Sequence, residues 1–107
     1  MSMRIYTMTH KKFTPLPDPL YVPLHVGRAC GENLGYLGDD TGEQISALNC
    51  YYSELTGFYW IWKNCHDADY VGTCHYRRYL LNEKGVMFRK EEIEKLLSEY
   101  DCLTSRL

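Results

Sequence analysis

Residues 70–76 read Tyr-Val-Gly-Thr-Cys-His-Tyr, a mostly apolar run of the kind found in strands that are covered on both faces. Before this run, from Asn49 onward, large apolar side chains recur every three or four residues. They are Tyr51, Leu55, Phe58, Tyr59 and Trp62. That spacing predicts an amphipathic helix, with Ser46 or Asn49 as its N-cap. A helix that leads into an apolar strand is the second half of a βαβ unit, so the sequence predicts a parallel sheet.

Further elements flank this unit. Residues 4–9 are rich in β-formers and predict a first strand, which ends in the cationic loop His10-Lys11-Lys12. Residues 90–100 carry spaced apolar side chains among charges and predict a second helix, and residues 101–104 predict a last strand. We therefore expect an α/β fold with a small, mainly parallel sheet, flanking helices and ligand sites at the carboxyl ends of the strands.

Two loops separate the first strand from the helix. All four prolines fall within residues 15–23, which excludes a helix and favours an extended loop. Residues 27–42 hold five glycines and the pair Asp39-Asp40, so the backbone there can turn sharply or approach a ligand closely. Gly57, inside the predicted helix, is small enough to allow close packing on the sheet.

Composition narrows the class of protein. The 107 residues suit a single domain over positions 1–107, and 45% hydrophobic with 24% charged residues argues against disorder. A net charge of −2 gives no basic face for nucleic acid, so no nucleic-acid partner is expected. No membrane span or signal peptide is visible, which predicts a cytoplasmic domain, with peripheral contact at the inner membrane left open.

The five cysteines are odd in number and are expected to be free thiols. Cys65-His66 and Cys74-His75 leave a zinc site as an alternative, although Cys74 lies in the apolar run, where a small buried thiol is common. A nucleophilic Cys74-His75 pair is a further alternative. It is disfavoured because neighbours on a strand face apart.

Residues 75–79 read His-Tyr-Arg-Arg-Tyr and begin where the apolar strand should end, the place where open α/β sheets bind ligands. Two adjacent guanidinium groups need either carboxylate partners or an anionic ligand such as a diphosphate. The alternative partners are Asp67, Asp69 and Glu54. On an extended chain only one guanidinium would reach a given ligand, unless the chain turns here.

Other polar residues have two interpretations each. Asp39 and Asp40 could hold a divalent cation or a sugar hydroxyl, but Asp is equally a standard turn residue. All four histidines are candidate acids or bases near neutral pH. They are His10, His25, His66 and His75.

Several short segments of the sequence, taken together, resemble a known family. They are Thr9-His10-Lys11, residues 21–27 (Tyr-Val-Pro-Leu-His-Val-Gly), residues 34–42 (Leu-Gly-Tyr-Leu-Gly-Asp-Asp-Thr-Gly), Glu54-Leu55-Thr56, residues 59–64 (Tyr-Trp-Ile-Trp-Lys-Asn) and residues 75–79. This ordered set resembles a bacterial family, originally of unknown function, that is assigned to capsular and exopolysaccharide biosynthesis as a glycosyltransferase. The resemblance covers nearly the whole chain, but the usual members are much longer, so it implies the N-terminal half only.

The resemblance implies a GT-A-like fold whose Rossmann-like N-terminal half binds a nucleotide-sugar donor, with a saccharide or lipid-linked acceptor as the second substrate. It implies nucleotide contacts from Thr9, His10 and Lys11, and a sugar or cation contact from Asp39 and Asp40. The remaining implied donor-site residues are Glu54, His75, Tyr76, Arg77 and Arg78. His75 and Asp40 are the candidates for a catalytic role.

The sequence departs from the usual nucleotide-sugar transferase pattern at the metal-binding motif. Asp67-Ala68-Asp69 precedes the apolar strand, whereas the metal-diphosphate motif of nucleotide-sugar transferases would follow it. We therefore expect Arg77 or Arg78 to neutralise the leaving diphosphate in place of a metal, with Mn²⁺ or Mg²⁺ dependence left open. The alternatives are a non-catalytic fragment and an interaction module, the latter including a homo-oligomer.

Overall fold

The structure is a computed structural model that describes residues 2–79, 81, 84, 85 and 87–104. Its centre is a four-stranded sheet with the strand order β3-β2-β1-β4. The strands are β1 (Met3–Thr9), β2 (Tyr21–His25), β3 (Leu37–Gly38) and β4 (Tyr70–His75). All three pairings in the sheet are parallel, which confirms the predicted α/β class and the parallel sheet.

The helices are α1 (Asn49–Tyr52), α2 (Leu55–Asn64) and α3 (Lys90–Leu97), with short 3-10 turns at Arg28–Cys30 and Ser46–Leu48. The single helix predicted from Asn49 is broken at Ser53, whose φ of 52° lies in the left-handed region. The prediction of Ser46 or Asn49 as N-cap is wrong, because α1 begins after Leu48 without a side-chain cap. No helix within the described ranges is long and apolar enough to cross a membrane.

The apolar stripe that predicts the helix is not the face that packs on the sheet. Tyr51 is 81% exposed and Trp62 is 64% exposed, whereas the buried face of α2 includes Thr56 and Gly57. A Cβ atom on Gly57 would lie 2.5 Å from Val26 Cγ1, so α2 sits directly against β2 and its extension. This confirms the predicted close packing at Gly57. Most side chains of the predicted stripe lie on the outer face, whereas Trp60, which the stripe omits, is buried.

Two apolar clusters cover the two faces of the sheet. Side chains of a strand alternate between faces, so Tyr6 and Met8 pack towards α2, and Met3 and Ile5 pack towards α3. On the α3 side, Ile93 is the buried residue of the helix.

Three predictions of local structure differ from the fold. Residues 101–104 form no strand. β2 begins inside the first predicted loop and contains Pro23, and β3 lies inside the second. His25 O accepts from Asp39 N, so the odd-numbered residues of β2 face β3, and β3 pairs only with Leu24 and His25. The N–H that Pro23 lacks would therefore point to the side of β3, but β3 does not extend far enough to pair with it.

Candidate functional site at the carboxyl ends of β1 and β4

The strand order reverses beside β1. The chain runs outward from β1 to β2 and β3 on one side, and β4 then pairs with the other side of β1. In an open parallel sheet such a reversal opens a crevice at the carboxyl ends of the two strands. His10 follows β1 and Tyr76 follows β4, and their rings meet edge to face with centroids 5.8 Å apart. The structure therefore brings together candidate residues that are far apart in sequence.

The chain turns sharply after β4. His75 N donates to Arg78 O over 3.1 Å, and Arg78 N donates to His75 O over 2.9 Å. The guanidinium of Arg77 lies over the ring of Tyr76, with Cζ 5.3 Å from the centroid. Both arginines are exposed. The turn therefore removes the constraint that only one of them could reach a ligand.

The carboxylates that could have neutralised these arginines are engaged elsewhere. Asp67 pairs with Arg4 at 2.7 Å, an interaction that lowers the pKa of Asp67, and Asp69 accepts from Ser2 N at 3.0 Å. Among the described residues, no carboxylate lies within 4.0 Å of the side-chain nitrogens of Arg77 or Arg78. Their positive charges are therefore available to an anion.

His75 and Glu54 form the second polar feature of the crevice. Glu54 immediately precedes α2, and its Oε1 lies 3.6 Å from His75 Nε2. The ring of His75 also contacts Tyr76, with centroids 4.5 Å apart. An imidazole beside a carboxylate can hold a proton and pass it on, so the pair can serve as an acid or base at the crevice.

At the end of β1 the three predicted nucleotide contacts differ in accessibility. Thr9 is buried, and its hydroxyl donates to Lys11 O at 2.6 Å and accepts from Lys11 N at 3.1 Å. Thr9 therefore shapes the turn with its side chain. His10 and Lys11 are exposed and can reach a ligand.

Two aromatic residues of this region carry no signal in the sequence beyond the abundance of aromatics. Phe13 lies between Tyr76 and Tyr36, with ring centroids 5.8 Å and 5.5 Å away. The hydroxyl of Tyr36 donates to Phe13 O and accepts from Phe13 N, which fixes the loop after β1. A row of half-buried rings thus runs from the end of β4 towards β3.

Asp39 lies at a crossing of several loops and is completely buried. Its carboxylate accepts from Gly27 N at 2.8 Å, Arg28 N at 3.1 Å, Ser46 Oγ at 2.6 Å and Thr56 Oγ1 at 2.7 Å. A carboxylate offers about four acceptor positions, so protein donors occupy all of them. In this structure Asp39 joins the loops to α2 and leaves nothing for a sugar or a cation.

Asp40 is paired with a cation already. Its Oδ2 lies 3.0 Å from Arg28 Nη1, and both side chains are about three-quarters buried. A divalent cation prefers several free hard oxygens, so the Asp39-Asp40 pair does not fit a Mn²⁺ or Mg²⁺ site. In the parts of the chain that the structure describes, no three His, Cys, Asp or Glu side chains gather into a cluster that could hold a metal.

The two cysteine alternatives are not supported either. Cys65 Sγ contacts Tyr6 Oη at 3.0 Å and Cys74 Sγ contacts Thr7 Oγ1 at 3.4 Å. Tyr6 and Thr7 are neighbours on β1 and face opposite sides of the sheet, so the two thiols cannot share an ion. Burial raises the pKa of the Cys74 thiol, which disfavours the nucleophilic thiolate.

The strand order defines a parallel α/β domain, with cationic and aromatic side chains at the carboxyl ends of β1 and β4. The chain belongs to the family described as "Domain of unknown function (DUF4422)", whose model matches residues 4–107. No curated protein matches the chain.

Among solved structures the chain is similar to the apo structure of the WbbM bifunctional glycosyltransferase. The identity is 40% and the TM-score 0.67, over 92% of this chain and 20% of that chain. This chain therefore has the fold of one part of a glycosyltransferase and spans about a fifth of that protein.

Proposed function

We propose that this domain is the donor-binding part of a glycosyltransferase, which transfers a sugar from a nucleotide diphosphate to a saccharide or lipid-linked acceptor. The similarity to part of a glycosyltransferase supports the class of reaction. The observation that carries the proposed site is the meeting of His10 and Tyr76 across the crevice, beside two arginines without carboxylate partners among the described residues.

The arginines would bind the diphosphate. A guanidinium presents a planar fork of donors that matches phosphate oxygens, and it stays charged at any physiological pH. Arg77 and Arg78 are close through the turn after β4, and Lys11 adds a positive charge at the end of β1. As the glycosidic bond to the donor breaks, this cluster would stabilise the negative charge that develops on the departing diphosphate.

The neighbouring groups suit the other parts of the reaction. The half-buried rings of Phe13 and Tyr76 offer an apolar platform for the flat base or a sugar ring of the donor. His75, held beside Glu54, would accept the proton of the acceptor hydroxyl. We leave Asp40 out of the proton transfer, because its carboxylate is paired with Arg28.

The biological setting is proposed on the family resemblance. The family that the sequence resembles is assigned to capsular and exopolysaccharide biosynthesis. We therefore place the reaction in the cytoplasm, beside the inner membrane that would carry a lipid-linked acceptor.

The test is calorimetric titration of the domain with the diphosphates of uridine, guanosine and thymidine, with and without Mn²⁺. We expect saturable binding of at least one diphosphate, and loss of that binding in the double variant Arg77→Met/Arg78→Met. The control is Arg4→Met/Arg89→Met, which removes the same two charges outside the crevice and should bind as the parent does. Unchanged binding in a folded Arg77/Arg78 variant, or no binding of any diphosphate by the parent, would overturn the proposal.

A second candidate function, an interaction module, is favoured by the outer face of α1 and α2. Tyr51, Leu55 and Trp62 are each more than half exposed there, and such patches mark contact surfaces. The domain would then associate through this face with a partner chain or with itself. Sedimentation velocity over a range of concentrations distinguishes the two candidates, because association lost in Trp62→Ser, without diphosphate binding by the parent, favours the module.

A further inference from the structure

His25 is a buried polar side chain that the proposed reaction does not use. It ends β2 and is only 3% exposed. Among the described residues, no group hydrogen-bonds to its buried Nδ1 or to its Nε2. Arg28 and Asp40 also carry one unpartnered buried atom each, but these two side chains already pair with each other. A buried polar side chain without any partner is rare in folded proteins and calls for an explanation.

An opening to the surface lies beside Nε2 of this ring. Gly31 is exposed, and the nearest atom to a Cβ at this position would be His25 Nε2, 3.6 Å away. The backbone of Gly31 is extended, with φ −135° and ψ 178°, which residues with a side chain adopt as readily. Backbone conformation therefore does not require glycine here. Because Gly31 has no side chain, a ligand at the surface can approach Nε2.

The state of the imidazole decides what it can bind. Burial lowers the pKa of His25, and the nearby His10 acts in the same direction, so the ring is neutral at pH 7 and has one N–H and one lone pair. Buried N–H groups without an acceptor are rarer than buried acceptors without a donor, which favours the proton on Nε2 over the enclosed Nδ1. His25 thus presents an N–H donor towards the opening.

His25 lies at the same end of the sheet as the proposed donor site. It pairs with Thr9 where β1 and β2 end, and β4 lies on the other side of β1. β2 and β4 are therefore two strand spacings apart, about 9–10 Å. The row of rings from Tyr76 through Phe13 to Tyr36 runs in the same direction. An extended nucleoside diphosphate is long enough to place its phosphates at the end of β4 and its base at the end of β2.

We propose that His25 donates a hydrogen bond from Nε2 to a carbonyl oxygen of the donor's base, and that Gly31 keeps the approach to Nε2 open. This inference rests on the proposed function, because it names the part of the donor that binds beside β2. Uracil, thymine, guanine and cytosine carry a carbonyl oxygen, whereas adenine carries none. His25 would therefore be a specificity-determining residue that selects against adenine nucleotides.

Calorimetric titration with several ligands separates the base contact from the phosphate contact. The ligands are the diphosphates of uridine, guanosine, thymidine and adenosine, together with inorganic pyrophosphate. Adenosine diphosphate should bind the parent about 10-fold or more weakly than the best of the other three nucleotides, since one hydrogen bond is lost. His25→Leu removes the donor and should abolish this preference without changing the affinity for pyrophosphate. His25→Gln keeps an N–H at a similar distance and should retain a preference above that of His25→Leu.

A second variant tests the same contact without changing His25. Gly31→Val suits the extended backbone, and its methyl groups would cover Nε2. It should lower the affinity for the best nucleotide by about 10-fold while the thermal midpoint stays unchanged. The control Glu32→Val places the same side chain at the next exposed position and should bind as the parent does.

The outcomes separate this inference from the proposed function. It is overturned if a folded His25→Leu variant distinguishes the bases as the parent does, because His25 then serves the core alone. It is also overturned if the parent binds adenosine diphosphate as tightly as the other nucleotides. In both cases the diphosphates still bind, so the proposed function stands. If the parent binds no diphosphate, the proposed function fails and this inference fails with it.

Discussion

Replacing Asp39 by Ala removes the acceptor of four hydrogen bonds at one buried point. The hydroxyl of Thr56 has a second acceptor, Ser53 O at 3.2 Å, and can turn to it. The backbone N–H groups of Gly27 and Arg28 have no such substitute and would be left buried without a partner. The variant therefore tests whether Asp39 holds the loops after β2 and β3 on α2.

The expected loss of stability follows from these groups. Each buried donor without a partner costs about 1–3 kcal/mol, and hydrogen bonds to a charged group are at the upper end of the usual range. With two or three donors left unpaired, Asp39→Ala should lose about 3–6 kcal/mol of unfolding free energy. Since small domains have about 5–15 kcal/mol in total, the variant should lose a large fraction of its stability.

Urea unfolding followed by circular dichroism measures this loss. Asp40→Ala is the control, because it removes the adjacent carboxylate and a single ion pair with Arg28, whose side chain is about three-quarters buried. That control should lose about 1–2 kcal/mol, less than Asp39→Ala, because one donor instead of several loses its partner. A loss below about 1.5 kcal/mol for Asp39→Ala, or equal losses for the two variants, would refute the assignment of Asp39 as the junction of these loops.

Three further variants test other features of the fold. Burial lowers the pKa of His25, so its folded form binds fewer protons than the unfolded chain, and stability should fall as pH drops below about 6.5. Urea unfolding at a series of pH values measures this dependence. His25→Asn should reduce the slope of unfolding free energy against pH by at most about 1.4 kcal/mol per pH unit. An unchanged slope would contradict the assignment of this pH dependence to His25. Ser53→Gly relieves a positive φ and should stabilise the fold by about 1 kcal/mol, which would raise the thermal midpoint. Ser98→Gly, in ordinary helical backbone, should lower the midpoint. Gly57→Ala should lower the unfolding free energy by about 1–3 kcal/mol, because its Cβ would lie 2.9 Å from Met8 Sδ. This loss should exceed the gain from the better helix propensity of Ala. A higher denaturant midpoint in the variant would show that Met8 moves aside without cost.

Composition and hydrophobic periodicity over several residues predict the main elements of the fold. β1, β4 and α3 are each marked by composition or periodicity, and the parallel sheet follows from the βαβ order. β2 and β3 were not predictable in this way. Pro23 is tolerated only because β3 starts one residue later, and β3 has just two residues, so both depend on tertiary pairing.

The candidate site was predictable where residues cluster in sequence and less so where the fold assembles them. Residues 75–79 are recognisable at the end of an apolar run, and His10 and Tyr76 do meet. The pairing of Glu54 with His75 joins the start of a helix to the end of a strand, which no local pattern encodes. The sequence around Asp39 indicates a turn or ligand residue, and the four donors around its carboxylate come together only in the folded chain.

The position of β1 at the centre of the sheet has a consequence during synthesis. Met3 pairs with Tyr70, 67 residues later, so β1 is synthesised well before the strand that bonds its second side. At about 5–20 residues per second this interval lasts on the order of 3–13 s. Through that time the nascent β1 lacks a partner on one side, so its apolar residues, such as Ile5 and Met8, are accessible to chaperones that bind extended hydrophobic segments.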